Sequence, residues 1–221
     1  MNTNPGLIPD LLDERSLNFL ASSLPKYEEY PKRKYRYWND TARFWDQGNT
    51  SSCVGHGFAH VLVDGPVTQP ELARTLNPYA DYREIQALDP WGRRSADDGT
   101  TLLAGAKYHH KQGNIGGYYW VYVVDEMGNT VLEVAPVVTG TLWRMDMFYP
   151  NDEGVIRATG REVGGHCYEI NGYNAKTELF RIKQSYGRNH GRNGRLYIPA
   201  EDLDKLMQTY GEACVVSEVQ A

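Results

Sequence analysis

Cysteine is scarce in this chain: Cys53, Cys167 and Cys214 are the three among 221 residues. So sparse and odd a set argues against a disulfide framework and makes a reducing compartment the default. Long apolar runs are missing too. No stretch approaches the roughly 20 residues that cross a bilayer, and MNTNPGLIPDLLDERS has neither the basic start nor the apolar centre of a secretory leader. The chain is therefore expected to begin where its gene does, to have no membrane partner and to reside in the cytoplasm, a virion being the other location considered. Positive charge is not in excess: 23 Lys and Arg against 28 Asp and Glu leave a formal net charge of -5, which offers nucleic acid no general attraction. The one basic cluster, PKRKYRYW at 31 to 38, is short and reads as a solvated strap over packed tyrosines. Internal repeats and low-complexity segments are absent as well.

What is present can build a core. The chain is 41% hydrophobic and 23% charged, enough for one compact domain or two lobes sharing an interface. Pro5, Pro9, Pro25 and Pro31 break up the stretch 1 to 45, which reads as an arm laid over the body. After QGN, the run SSCVGHGFAHVLVD carries a helix start, with Ser51 or Ser52 as cap and Val54, Phe58, Val61 and Leu62 at helical spacing. Gly55 and Gly57 lower its propensity, so packing must hold this helix and it is expected to be buried. NPYADYREIQAL (77 to 88) places a proline at a helix entry, and DDGTTLLAGAKYHHKQGN (97 to 114) predicts a second helix with Thr100 as cap and Gly113 as stop. WVYVVDEMGNTVLEV supports two readings, a hairpin around GN or a short helix over 126 to 134 capped by Asp125. From Pro136 on, VVTGTLW, HCYEINGYN, LFRIKQSYG and GRLYIP are short β-rich runs divided by turn residues, and DLDKLMQTYG (202 to 211) adds a helix near the end. Helices first and strands second predict an α+β fold with a cleft where the halves meet.

The chemistry centres on Cys53. A thiol with an ordinary pKa near 8.5 must become thiolate before it attacks a carbonyl, and the unpaired amides of a helix N-terminus favour an anion there. His166, which follows Gly164 and Gly165 at the start of a β run, is the candidate imidazole partner, able to return the proton to a leaving amine. Each has a plainer reading alone: Cys53 as a buried structural thiol, His166 as a satisfied polar residue on a strand. Cys167 faces the other side of its strand and reads as core, as does Cys214. Cys53, His56 and His60 share one helical stripe, as zinc ligands would, but no fourth ligand has convincing spacing and no metal is expected. His109 and His110 read as solvated near a helix end, and Asp97 and Asp98 as helix-start charge.

QGNTSSC, GGHCYEINGYN and FRIKQSYGRNHGRNGRLYIP together resemble the papain-like cysteine peptidases, in the order glutamine, cysteine, histidine, amide. The similarity extends to NPYADYRE and DDGTTLLAGAKYHHKQGNI, to APVVTGTLW as the strand entering the β lobe, and to GLIPDLLDER as the N-terminal strap of bacterial members. It covers about 200 of the 221 residues. The resemblance implies a papain-like two-lobed α+β fold, with a strap over 1 to 43, a helical lobe over 44 to 120 and an antiparallel, barrel-like β lobe over 121 to 221. It implies hydrolysis of a peptide or protein substrate through a Cys53 thiolate, a His166 proton shuttle and an acyl-enzyme. Gln47 then serves the oxyanion, Gln184 orients the imidazole, and no cofactor takes part. Asp98 and Gly99 match the segment that pairs with an extended substrate, and Gly165 flanks the same cleft.

Two residues depart from the family pattern. Gln184-Ser185-Tyr186-Gly187 stands where the family reads Asn-Ser-Trp-Gly, so the orienting amide is one methylene longer and a tyrosine replaces the shielding indole. That departure keeps two further readings open: a papain-fold peptide-binding or structural module that no longer cuts, such as a virion component, and an amidase acting on cell-wall peptide. A strap and a lead-in strand use up the residues before Cys53. Nothing is then expected to fill the cleft, and the enzyme is expected to be made active or to be limited by substrate access. The lack of leader, pro-region and disulfides points to a bacterial or phage source.

Overall fold

The computed structural model describes residues 5–9, 14–40, 43–66, 69–89, 95 and 97–217. Along them run β1 (Tyr35–Tyr37), α1 (Cys53–Asp64), α2 (Leu72–Thr75), α3 (Pro78–Leu88), α4 (Leu102–Lys111), β2 (Gly117–Val121), α5 (Val124–Glu133), β3 (Val137–Arg144), β4 (Glu162–Asn174), β5 (Leu179–Lys183), β6 (Arg195–Pro199), α6 (Ala200–Tyr210) and β7 (Glu212–Ser217). Three short 3-10 turns lie at Glu14–Asn18, Ala21–Ser23 and Met145–Phe148. Among the described residues no helix is long and apolar enough to cross a membrane.

The helix ends follow local chemistry, with three differences from expectation. α3 begins where the Asn77 side chain accepts from the Ala80 N–H and Pro78 takes the first turn. α4 is capped by Thr101, which accepts from the Ala104 N–H, because the Thr100 hydroxyl is drawn to the Asp89 carboxylate instead. Ser52 heads α1 without a side-chain cap; its hydroxyl is held by Thr50 and the His56 ring. The ambiguous middle segment becomes strand β2 followed by helix α5, not a hairpin around GN. Asp125 lies in the first turn of α5 rather than at the cap, and Val124, Met127, Val131 and Leu132 form the buried stripe that decides for helix.

The seven strands form one open antiparallel sheet in the order β2-β7-β3-β4-β5-β6, with β1 added against β4. Alternation gives the sheet two apolar faces. Val137, Tyr168, Ile170, Ala213 and Val215 pack with Met127 and Val131 of α5 and Leu203 and Leu206 of α6. Val138, Cys167, Cys214 and Val216 pack with Val54, Phe58 and Val61 of α1 and Leu102 and Ala106 of α4. Cys167 and Cys214 are thus free thiols filling the core. Strands and helices are interleaved rather than segregated, since α5 and α6 must cover the face that the N-terminal helices leave bare.

Every residue of α1 is buried, which its composition explains. A Cβ on Gly55 would lie 2.2 Å from the Pro78 carbonyl oxygen, and one on Gly57 would lie 2.7 Å from Cys167 Sγ. The glycines that weaken the helix locally let α3 and β4 close onto its backbone. His109 is the other surprise. It is fully buried rather than solvated, its ring centroid 5.1 Å from Phe58 and 4.9 Å from Tyr108, and burial pushes its pKa down to about 4. Its position shares a stripe with Leu102 and Ala106 on the inner side of α4, whereas His110 is exposed.

Candidate active site

Two distant segments are stitched together just before α1. Gln47 N–H donates to the Ser185 carbonyl (2.8 Å), Gly187 N–H donates to Trp45 O (3.1 Å), and Asp46 bridges Tyr186. The pairing brings the QGN run and the QSYG run to one place. Cys53 follows as the first residue of α1, with no exposed surface. Burial pushes its thiol up to about 11, while the backbone amides of Cys167, Gly6, Val54 and Cys53 itself pull the other way. The sulfur therefore sits among N–H groups from the helix start, from β4 and from the N-terminal arm.

His166 lies on β4 opposite Thr141 of β3 and is also fully buried. Its Nε2 is 3.3 Å from Gln184 Oε1, so the longer amide still reaches the ring. Tyr186 stacks on the imidazole at 5.0 Å and 21°, and Trp143 meets it edge-on at 4.8 Å and 68°. The tyrosine covers the ring where the family places an indole, and Trp143 supplies one from a different strand. Burial pushes His166 down to about 3, opposed by the bond to Gln184 and reinforced by His56 and His190. With Nε2–H donating to a carbonyl-type oxygen, Nδ1 is left as the basic nitrogen. It is buried without a hydrogen-bond partner. No hydrogen bond joins His166 to Cys53, and both groups are neutral at pH 7 in this arrangement.

The remaining positions divide. Gln47 is buried beside the helix start, but its Nε2 donates to Thr50 O (2.6 Å) and its Oε1 accepts from the Ser185 hydroxyl. Asp98 is exposed and its carboxylate binds the Ser95 amide and hydroxyl. Gly99, at φ 77°, gives its N–H to the Tyr82 hydroxyl (3.0 Å), and its carbonyl accepts from Gln86 Nε2 (3.0 Å). The arm pairs with the backbone of the next residue. Thr100 N–H donates to Gly6 O and Thr100 O accepts from Ile8 N–H, both at 2.9 Å, while Gly165 O accepts from Leu7 N–H at 2.9 Å. The arm thus fills the seam between the halves, which overturns the expectation of an empty cleft. Thr100 and Trp143 are the residues that motif reading passed over, although each sits inside or at the end of a recognised run.

The helical stripe does not assemble a metal centre. His56 Nδ1 is 2.9 Å from Ser52 O, and His60 Nε2 accepts from the Trp45 N–H at 3.4 Å. Among the described residues no three His, Cys, Asp or Glu side chains converge as a metal-binding group.

By sequence, no family model and no curated protein matches the chain. Solved structures do. Xylellain, a cysteine protease from Xylella fastidiosa, superposes with a TM-score of 0.67 at 17% identity over 99% of this chain and 97% of that one. Procathepsin B S9 from Trypanosoma congolense gives 0.66 at 12% identity, over 97% and 86%. The Carica candamarcensis cysteine protease CMS1MS2, solved in complex with E-64, gives 0.63 at 14% identity, over 85% and 100%. The chain has the α+β fold of the papain-like cysteine proteases.

Proposed function

We propose that the chain is a cysteine peptidase that hydrolyses peptide or related amide bonds through Cys53 and His166. In this mechanism the Cys53 thiol passes its proton to His166 Nδ1 and the sulfur attacks the carbonyl carbon. The oxyanion is met by the Cys53 backbone N–H and by Gln47 Nε2, which must turn from Thr50. Collapse breaks the C–N bond, the imidazolium proton leaves with the amine, and water then cleaves the thioester to restore the thiol. Gln184 holds Nε2–H throughout.

The observation that carries the reading is the His166 ring. It is buried under Tyr186 and Trp143, held by Gln184 at one nitrogen and unpartnered at the other, a costly arrangement for a purely structural histidine. One observation favours a second reading, a papain-fold module that binds peptide without cutting it: the thiol near 11 and the imidazole near 3 are both held neutral. An E-64-type epoxide separates the two. Selective modification of Cys53 that is lost in His166→Ala, together with cleavage of a peptide library, is expected. Labelling of Cys53 no faster than Cys167 and Cys214 in both the unsubstituted chain and Leu7→Asp, which removes the apolar side chain of the arm from the seam, with no cleavage of the library or of peptidoglycan by either, refutes the peptidase. Cleavage of peptidoglycan alone moves the substrate to cell-wall peptide.

A further inference from the structure

We infer that Thr50, Ser52 and His56 are positioning residues for the oxyanion donor, forming a one-way hydrogen-bond relay that runs from the first turn of α1 to Gln47. The inference rests on the reading of Gln47 Nε2 as that donor. Counting hydrogens fixes the direction of the relay. The Thr50 hydroxyl gives its one hydrogen to Gln47 O at 2.7 Å, since a carbonyl only accepts. Ser52 Oγ, 2.6 Å from Thr50 Oγ1, must then be the donor of that pair. With its hydrogen spent, Ser52 Oγ accepts from His56 Nδ1 at 3.2 Å. A second group makes the same demand on the ring, because Nδ1 also lies 2.9 Å from Ser52 O and so must carry the hydrogen. Burial pushes the His56 pKa down to about 4, so the ring is neutral at pH 7 and Nδ1–H is its only N–H.

Thr50 is the pivot. Its N–H (3.2 Å) and its hydroxyl both bind Gln47 O, and its own carbonyl receives Gln47 Nε2 at 2.6 Å, so the amide rests on the residue that the relay fixes. From the other side, Ser185 takes the Gln47 N–H on its carbonyl (2.8 Å) and gives its hydroxyl to Gln47 Oε1. Gln47 is pinned at main chain and side chain. A small rotation of Nε2 off Thr50 O then presents it to a developing oxyanion.

Ser52 gives up an ordinary role for this one. A serine heading a helix normally turns its oxygen onto an N–H of the first turn. Ser52, at φ −89° and ψ 22°, does not cap α1; it is fully buried, with its Oγ held between Thr50 and His56. The first-turn amides of Cys53 and Val54 are left to the Cys53 sulfur, where they favour an anion. Both parts of the proposed oxyanion site, the Cys53 N–H and the Gln47 amide, thus depend on where the relay holds one serine hydroxyl.

The test measures kcat and KM on a peptide that the unsubstituted chain cleaves, for Thr50→Val, which keeps the shape and loses the hydroxyl, and for Thr50→Ser, which keeps the hydroxyl. Losing an oxyanion donor outright costs roughly 100–1,000-fold in kcat, so displacing one should cost about 10–100-fold. Thr50→Val should lower kcat by that factor with KM within about twofold, while Thr50→Ser stays within about threefold of the unsubstituted chain. Iodoacetamide alkylation of Cys53, which forms no oxyanion, should proceed at equal rates in all three. A kcat for Thr50→Val within about twofold of the unsubstituted chain overturns the inference. Equal losses in Thr50→Val and Thr50→Ser overturn it too, since shape is then responsible, as does a fall in alkylation that matches the fall in kcat.

If Thr50→Val does not fold, or if no peptide is cleaved, NMR of the unsubstituted chain decides. Thr50 and Ser52 hydroxyl protons in slow exchange at pH 7, with the His56 hydrogen on Nδ1, support the relay; hydroxyls in fast exchange, or the hydrogen on Nε2, overturn it. The two readings fail separately. Absent cleavage with an intact relay refutes the peptidase alone, whereas cleavage that Thr50→Val leaves unchanged refutes the relay's role alone.

Discussion

Lys183→Met tests the physical frame beneath the site. Lys183, the last residue of β5, and Asp64, the last of α1, form an ion pair with neither side chain exposed, and Lys183 Nζ also donates to Asp40 O at 3.2 Å. Burial raises the Asp64 pKa to about 6 against the pull of Lys183. Glu169 is raised well above its ordinary value, by burial first and by the Asp64 charge second. Methionine fills similar space but leaves Asp64 alone. Removing one partner of a buried pair costs about 3–5 kcal/mol, which at ~2–4 °C per kcal/mol for a chain of this size lowers Tm by roughly 6–20 °C. Circular dichroism and tryptophan fluorescence melts at pH 7 measure it.

The pH dependence has a defined sign. A carboxyl whose folded pKa lies above its unfolded value of about 3.9 binds more protons when folded, so its contribution to stability falls as pH rises through that window. Loss of Lys183 extends the window above the Asp64 value of about 6. The deficit of the variant should therefore be smallest near pH 4 and grow toward pH 8. A Tm within ~2 °C of wild type at pH 7, or a deficit that does not change with pH, refutes the reasoning.

Other perturbations probe single contacts. His109, held near 4 against an ordinary 6.5, adds stability that is present above 6.5 and lost as pH falls toward 4. His109→Leu should therefore narrow the drop in Tm between pH 7 and pH 5, and an unchanged drop counts against the burial argument. Tyr82→Phe removes the hydroxyl that receives Gly99 N–H, leaving that buried donor unpaired at ~1–3 kcal/mol, while Gln86 Nε2 keeps Ser95 O and Gly99 O; urea titration reads this, with faster exchange of the Gly99 amide as its local sign. Gly55→Ala puts a methyl group against Pro78 O and should cost ~1–3 kcal/mol, so an unaltered melting curve would show that α1 and α3 are not so close.

Much of the fold was legible because it depends on neighbours in the chain. Asn77 and Pro78 mark the start of α3 by a bond within one turn, and alternation in VVTGTLW and HCYEINGYN places successive side chains on opposite faces of β3 and β4. The glycines of α1 announced burial without saying against what. Where local signals competed, tertiary contacts chose. Thr100 loses the cap to Thr101 because Asp89 claims its hydroxyl, and the segment after β2 becomes helix because an apolar sheet face needs covering.

By itself, the sequence determined the α+β class, most of the elements, and a glutamine, cysteine, histidine and amide in an order resembling one family. These follow from periodicity, turn chemistry and residue identity, which act over a few bonds. Only the tertiary structure decided that Gln184 reaches His166 despite its extra methylene, that Tyr186 and Trp143 enclose the ring, that Cys53 and His166 are both neutral, and that Pro5–Ile8 lies in the seam. Burial and pairing between groups on different elements, 18 residues apart for His166 and Gln184 and far more for Leu7 and Gly165, set those outcomes, and no local pattern in the chain encodes which backbone meets which.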